Sequence, residues 1–276
     1  MFGVLLSALS SAFNELSDSI GKKKVGDGIA SYYTFGFLSI LFGTIMLIIM
    51  GVWRQDFIFS LASLPTLIPR VFLEVLQAHV NILAVVKADR SDYGPIRILT
   101  IPLLLAVDVM LGYAITPIQM LGISIIFVTI FLLLSYERSR AKGLFLVLFT
   151  AINAVATLSL YKYDITHFNS VETEQVLVQL VLLVYFFVLA VTVGRENPFT
   201  FLRRGVFFAQ ASASGLAFSL VSYAYVFAPA SIATVALRAS AVLFSVVSGK
   251  LYFREKHIIA KTMVVCGVLA GLLLLL

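Results

Sequence analysis

The chain has 276 residues, 61% hydrophobic and only 12% charged, with a formal net charge of +6. A soluble domain carries about 25% charged residues, and at a mean hydropathy of +1.03 no water-soluble fold hides so much apolar surface, so the solvent is a bilayer. The basic excess does not point to nucleic acid, because the Lys and Arg residues sit in loops flanking apolar runs, where membrane orientation accounts for them.

A spanning helix needs about 20 mostly apolar residues, and the sequence supplies ten such runs. The first, 2–20, lacks the basic start and small-residue cleavage site of a signal peptide and is taken as a helix. It carries Ser7, Ser10, Asn14, Ser17 and Gly21 on one stripe. The second covers 29–51. The third, 65–86, puts Arg70, Glu74, Gln77 and Asn81 on one face. Arg70 and Glu74 are four apart and able to pair; Glu74 is also a candidate protonatable coupling group tuned by Arg70. His79 lies off that face. The fourth run, 95–113, holds Arg97 near its start and Asp108 three turns further on. The fifth is 117–135. The sixth, 143–161, has Thr150, Asn153, Thr157 and Tyr161 in a stripe. The seventh is 174–194, and the eighth, 204–227, contains Gln210, Ser214 and Tyr223. The ninth, 230–249, is apolar or small at nearly every position except Arg238. The tenth, 257–276, contains Cys266, the only cysteine, which excludes disulfides within the chain and argues against a cysteine metal site. Barrel strands would be about 10 residues long and alternating, and lipid leaves no backbone group unsatisfied. The expectation is an all-α membrane protein.

A charge at mid-bilayer costs at least about 2.5–3.5 kcal/mol on insertion scales, so such residues are functional candidates. Arg238 lies eight residues past the start of its run, roughly 12 Å along a helix, too deep for easy snorkelling. Thr234, Arg238, Ala241, Ser245 and Ser248 share its face, which suits either a cavity wall with an anion anchor or a buried pairing with an acid elsewhere. For the serine and threonine stripes of the first and sixth runs, close helix packing is the plainer role, with Asn14 and Asn153 the better cavity candidates.

The ten runs divide into two sets of five, residues 1–140 and 141–276. SAFNELSDSIGKK (11–23) matches TAINAVATLSLYK (150–162) through Ala12, Asn14 and Lys23 against Ala151, Asn153 and Lys162. AVVKADRS (84–91) matches AYVFAPAS (224–231) through Ala84, Ala88 and Ser91 against Ala224, Ala228 and Ser231. The offsets are 139 and 140. Because five is odd, the second set enters from the opposite side, giving two inverted repeats with substrate held near the midplane. Under the offset, Arg70 maps to Gln210, Glu74 to Ser214, and Arg97 to Leu237, one residue from Arg238.

The stretches ADRSDYGPIRILTIPLLLAVDVMLGYAITPIQMLGI (88–123) and APASIATVALRASAVLFSVVSGKLYFREKHIIAK (228–261) resemble the drug/metabolite transporter superfamily in its ten-helix EamA-type branch. That resemblance rests on a small-x-x-Ser turn opening the fourth helix of each repeat and an acidic element leading to the fifth, where Glu255 fits and Tyr113 departs. It implies secondary transport of a small polar metabolite; the two arginines at nearly the same depth in the paired fourth helices suit an anionic or zwitterionic one, and an exporter is the expected direction. It also implies a prokaryotic inner membrane and both termini in the cytoplasm.

The charge pattern gives the opposite orientation. Odd-numbered loops hold fifteen cations, Lys22, Lys23, Lys24, Lys87, Arg90, Arg138, Arg140, Lys142, Arg195, Arg203, Arg204, Lys250, Arg254, Lys256 and Lys261, against Arg54 and Lys162 in even loops. This places odd loops inside and both termini outside. The substrate-binding candidates are Arg238, Arg97, Glu74, Arg70, Gln210, Asn153, Asn14 and Tyr223. No catalytic residue, metal or cofactor is expected: no Walker A sequence is present, and His79, His167 and His257 show no ligand spacing. The expected partners are a small-molecule substrate, the lipid bilayer and a proton or exchanged solute, with a homodimer open. The alternatives are a phosphorylated-sugar or nucleotide-sugar exchanger, or a lipid-linked sugar flippase.

Overall fold

The computed structural model describes residues 2–89, 93, 96–104, 116–137, 143–227, 230–254 and 258–275. The described residues are helical with no strand. Helix α1 is Phe2–Gly26, α2 Tyr32–Arg54, α3 Leu64–Lys87, α4 Pro117–Glu137, α5 Leu144–His167, α6 Val171–Thr192, α7 the single turn Pro198–Phe201, α8 Gly205–Phe227, α9 Ala230–Leu251 and α10 Ile258–Leu275. Residues 105–115 of the fourth expected run, Asp108 and Tyr113 included, lie outside the described residues, as do Glu255 and His257. Among the described residues, four helical stretches are long and apolar enough to cross a bilayer: Tyr32–Arg54, Leu61–Lys87, Leu144–His167 and Val171–Thr192. They mark the chain as a membrane protein.

The helix starts follow the sequence chemistry. Ser31 and Ser170 stand at the N-caps of α2 and α6, each hydroxyl accepting from the backbone N–H three residues on, at Thr34 and Thr173. Past the far ends of the same two helices, Gln55 and Arg195 both take a left-handed φ of 54°.

The most extensive helix contacts are α1 on α8, α4 on α10, α2 on α6, α3 on α5 and α1 on α9. Small residues permit this closeness, since in lipid the contact must come from tight packing and not from an aqueous hydrophobic effect. At the α2–α8 crossing, a Cβ on Gly215 would stand 2.7 Å from Phe42 Cβ and 3.0 Å from its carbonyl carbon. Where α4 meets α10, a Cβ on Gly122 would fall 2.7 Å from the carbonyl oxygen of Gly271. The largest apolar core, including Phe35, Leu38, Val85, Val147, Phe186 and Ala211, joins α2, α3, α5, α6 and α8. A second, with Ile98, Leu99, Ile126, Ala151, Val242 and Val265, joins the segment 96–104 to α4, α5, α9 and α10.

Candidate functional site

A cavity of about 370 Å³ opens between these helices. Its walls come from α1 (Ser10, Ser11, Asn14, Glu15), α2 (Ser39, Ile40, Gly43), α3 (Ala78), Tyr93 and Arg97, α6 (Gln179, Leu182), α8 (Ser214, Ala217, Phe218, Val221) and α9 (Leu237, Arg238, Ala241, Ser245). These are central positions: Ser39–Gly43 sit in the middle of the 23-residue α2, and Arg238 is about 12 Å along α9 at 1.5 Å per residue. The cavity therefore lies at mid-depth.

Helix α1 is fixed there by its serines. Ser10 Oγ donates to the carbonyl oxygen of Ala217 (2.7 Å), and Ser11 Oγ donates to that of Leu237 (2.7 Å). Clamped between α8 and α9, α1 carries Asn14 and Glu15 into the cavity wall. Glu15 Oε1 accepts from Ser19 Oγ at 3.1 Å and from Ser248 Oγ, which ties α1 to the far half of α9. Asn14 Nδ2 donates to Asp18 Oδ2 at 3.2 Å.

Arg97 is held by a phenol. Its Nη1 donates to Tyr93 Oη at 2.9 Å, and that hydroxyl donates to Asn81 Oδ1 on α3 at 2.6 Å. The guanidinium carbon lies 5.2 Å from the Tyr93 ring centre, a cation–π distance. Among the described residues no carboxylate comes within ion-pair distance of Arg97. Arg238 faces the same cavity, half-buried, with Ala241 and Ser245 beside it. The described charges on the wall are thus two guanidiniums and one carboxylate.

Of the sequence candidates, the cavity brings together Arg238, Arg97 and Asn14. The others lie elsewhere. Arg70 is 1% exposed and points to α6, its Nη1 2.5 Å from Glu174 Oε1. It also stacks 4.5 Å from the Tyr161 ring. The expected partner within its own helix, Glu74, is more distant, at 4.0 Å from Nε. Gln210 is fully buried and donates to Ser17 Oγ (3.0 Å) and Ser39 Oγ (2.9 Å), tying α8 to α1 and α2. Asn153 donates to the carbonyl oxygen of Leu73 (3.0 Å) and to Gln77 Oε1 (2.9 Å), which joins α5 to α3. Tyr223 packs with Leu6, Leu220 and Ala224 at the α1–α8 contact. His79 shares a hydrogen bond of 2.8 Å between its Nδ1 and Tyr185 Oη. The side chain of Thr234 lies outside the described residues.

The sequence reasoning missed Glu15, Tyr93, Gln179 and the polar knot around Glu174. In that knot Asn169 Nδ2 donates to Glu174 Oε2 at 2.6 Å, and Thr66 Oγ1 donates to Asp164 Oδ1. A usable signal existed for Glu15: an acid next to Asn14 in a run whose only other charge is Asp18. Among the described residues no group of three or more His, Cys, Asp or Glu side chains converges on a metal position. Comparison with protein-family models finds no match, and comparison with curated protein sequences finds none either.

Proposed function

We propose that the chain is a secondary active transporter that moves a small anionic or zwitterionic metabolite by alternating access, as an exporter, across a prokaryotic inner membrane. The observation that carries this reading is the mid-depth cavity with Arg97 and Arg238 on its wall. Intramembrane cations cost free energy and persist where they serve a pathway, and transporters of repeated design hold substrate at the midplane between repeats. Arg238 and Arg97 hold the substrate's negative group, and Asn14 and Tyr93 supply further hydrogen bonds. A proton or an exchanged solute drives the cycle.

Ten spans in two inverted five-helix repeats, as in the drug/metabolite transporters, are the architecture that fits this reading. Several contacts support it by recurring under the offset of 140. Ser10 bonds Ala217, and the pair 140 residues away from each, Thr150 and Gln77, is also bonded, through Gln77 Nε2 and the Thr150 carbonyl oxygen at 3.0 Å. Gln55 and Arg195, 140 apart, share the same left-handed φ. The caps Ser31 and Ser170, 139 apart, are met by Glu196 and Asp56, 140 apart: Glu196 accepts from the Ser31 N–H, and the Asp56 carbonyl oxygen accepts from Ser170 Oγ. The α1–α8 contact has its counterpart in the α5–α3 contact, and the α2–α8 contact in the α6–α3 contact.

The test is uptake into proteoliposomes of the purified full-length protein against a panel of radiolabelled organic anions, amino acids and sugar phosphates. Saturable accumulation that disappears in Arg238→Ala, with that variant still folded and monodisperse, supports the reading. Absence of uptake of every class in both membrane orientations, from correctly folded protein, overturns it.

A further inference from the structure

Resting on the reading of the chain as a transporter whose cycle a proton drives, we infer that Asp164 on α5 is its proton-binding site, loaded through Thr66 on α3. The site lies apart from the cavity, at the end of the bundle where residues 55–63 meet residues 168–170. Two bonds join those loops: the Ser60 N–H donates to Asn169 Oδ1 at 2.9 Å, and the Ser170 N–H donates to the Ile58 carbonyl oxygen at 2.9 Å. The first fixes the Asn169 amide so that its Nδ2 faces Glu174 Oε2, 2.6 Å away. Arg70 Nη1 meets Oε1. Glu174 therefore has a donor on each oxygen and a cation beside it, and it stands in the first turn of α6, where the helix dipole also favours an anion. It is complete as a carboxylate.

Asp164 is not. It is fully buried, its Oδ2 has no hydrogen-bond partner, and among the described residues no cation lies within ion-pair distance of it. It is also close enough to Glu174 to repel that charge. Its Oδ1 is bonded to Thr66 Oγ1, which lies 2.9 Å from the Ser63 carbonyl oxygen as well. A hydroxyl has one hydrogen to donate, and here two oxygens compete for it. With Asp164 ionised, Thr66 donates to Oδ1 and the Ser63 contact is left without a hydrogen. With a proton on Oδ1, Asp164 donates to Thr66 and Thr66 donates to Ser63. Both contacts are then hydrogen bonds, and the bare Oδ2 belongs to a neutral group, which costs far less to bury than a charged one. Release reverses this: the proton leaves Oδ1 and the Thr66 hydroxyl turns from Ser63 to Asp164. Thr66 is half-buried, so it stands between the buried acid and the outside.

Among the described residues, the titratable and charged groups around the site are Arg70 and Glu74 on α3, Glu174 on α6, and Tyr161 on α5, which stacks on Arg70. Glu172 is paired with Arg54 of α2 at 3.0 Å, and His167 is exposed and bonded to the Tyr163 carbonyl oxygen. Arg70 comes within 4.0 Å of Glu174 and Glu74, which leaves Asp164 as the carboxyl without a cation. Helix α3 links the site to the cavity. It carries Thr66 and Arg70 at one end and, eleven residues beyond Arg70, Asn81, which holds Tyr93 and through it Arg97. A change of charge on Asp164 that moves α3 against α5 thus reaches the cavity wall along one helix.

Infrared spectroscopy of the purified full-length protein in lipid nanodiscs tests the site with the proton itself as the probe. At about pH 7 a free aspartic acid is ionised, so the C=O stretch of a protonated carboxyl, shifted by deuterium exchange, is expected in the wild type. It should be lost in Asp164→Asn and kept in Glu74→Gln. Thr66→Val should move it, because the carboxyl loses its acceptor. Asparagine is a neutral stand-in for the protonated acid, so Asp164→Asn should unfold at the wild-type temperature or above it. Absence of the band from the wild type, its survival in Asp164→Asn, an unmoved band in Thr66→Val, or an Asp164→Asn variant that does not fold each overturns the assignment. In proteoliposomes, an imposed pH gradient should drive uptake from the panel of radiolabelled organic anions, amino acids and sugar phosphates, and Asp164→Asn should lose that drive while keeping exchange. Gradient-driven accumulation by Asp164→Asn overturns the coupling role. If the wild type takes up none of the panel, the transport reading falls, and the infrared band still decides the proton site.

Discussion

Replacing Arg70 by Met tests the part of the interior that the cavity does not use. Arg70 is 1% exposed, and its partner Glu174 is fully buried. The substitution keeps much of the volume but removes the Nη1–Glu174 contact of 2.5 Å, the weaker bond to Gln175 Oε1 at 3.5 Å and the stacking on Tyr161. Glu174 would keep Asn169 on Oε2 and have no cation. Breaking one side of a buried pair costs about 3–5 kcal/mol, because the orphaned charge stays buried. For a chain of this size each kcal/mol moves Tm by about 2–4 °C, so thermal unfolding in mild detergent should fall by roughly 6–20 °C. The double variant Arg70→Met, Glu174→Gln removes the orphan and should recover most of that loss, with a coupling energy toward the upper end of the ~0.5–3 kcal/mol seen for contacting residues. A single-variant loss under about 1 kcal/mol, or a double variant as unstable as the sum of the two singles, would refute the claim that this is a dry, obligatory ion pair.

Three further outcomes follow from the packing. Gly215→Val places a Cβ against Phe42 at the α2–α8 crossing and should cost about 1–3 kcal/mol by overpacking, read by the same unfolding assay; a neutral result would mean that the crossing is looser than described. Asn153→Ala deletes two inter-helix bonds, each averaging ~0.6 kcal/mol in membrane helices. It should lower stability by about 1 kcal/mol and leave ligand affinity unchanged, since Asn153 is not on the cavity wall. With the sole cysteine removed by Cys266→Ala, an impermeant maleimide applied to intact cells should label Phe59→Cys and spare Arg203→Cys. The reverse pattern would show that the loop charges do not set orientation here.

Much of the helical layout could be read from the sequence because its signal is local. Apolar runs of about 20 residues are set by bilayer thickness; most described helices begin and end within three residues of them, while α1 and α5 run six residues further, to Gly26 and His167. Capping residues carry local information of the same kind: the runs expected at 29 and 174 start in the structure after the caps Ser31 and Ser170, whose hydroxyls accept from the N–H groups of Thr34 and Thr173. The small-residue stripe of α1 foretold close packing, and Ser10 and Ser11 do hold α8 and α9 at hydrogen-bond distance. Helix partners are another matter. Nothing in the periodicity of α3 says that its polar face meets α5 and α6, because a stripe records which residues share a side and not what lies across from it.

The arginines show where that limit falls on the site. Arg70, Arg97 and Arg238 all interrupt apolar sequence, and depth along the helix was the main criterion available for ranking them. Depth is a poor guide, because the free energy of an intramembrane cation depends on what neutralises it. Arg70 looked balanced by Glu74 one turn away, yet it points to another helix, where Glu174 lies 2.5 Å off, and the pair is removed from the cavity. Arg97 stands near the start of its run, and a tyrosine four residues earlier holds its guanidinium at the cavity wall. Glu15 is the converse case. Its sequence neighbour Asn14 shares the wall, and a bond to Ser248 holds it there. What neutralises a charge inside the membrane is brought by other helices, as Glu174 is brought to Arg70, and that is written in tertiary contacts more than a hundred residues apart. The same reasoning makes Glu174→Gln the informative companion to Arg97→Gln: the first should disturb stability and spare ligand binding, the second the reverse. If both changes weakened binding equally, the separation of a structural ion pair from a substrate anchor would be wrong.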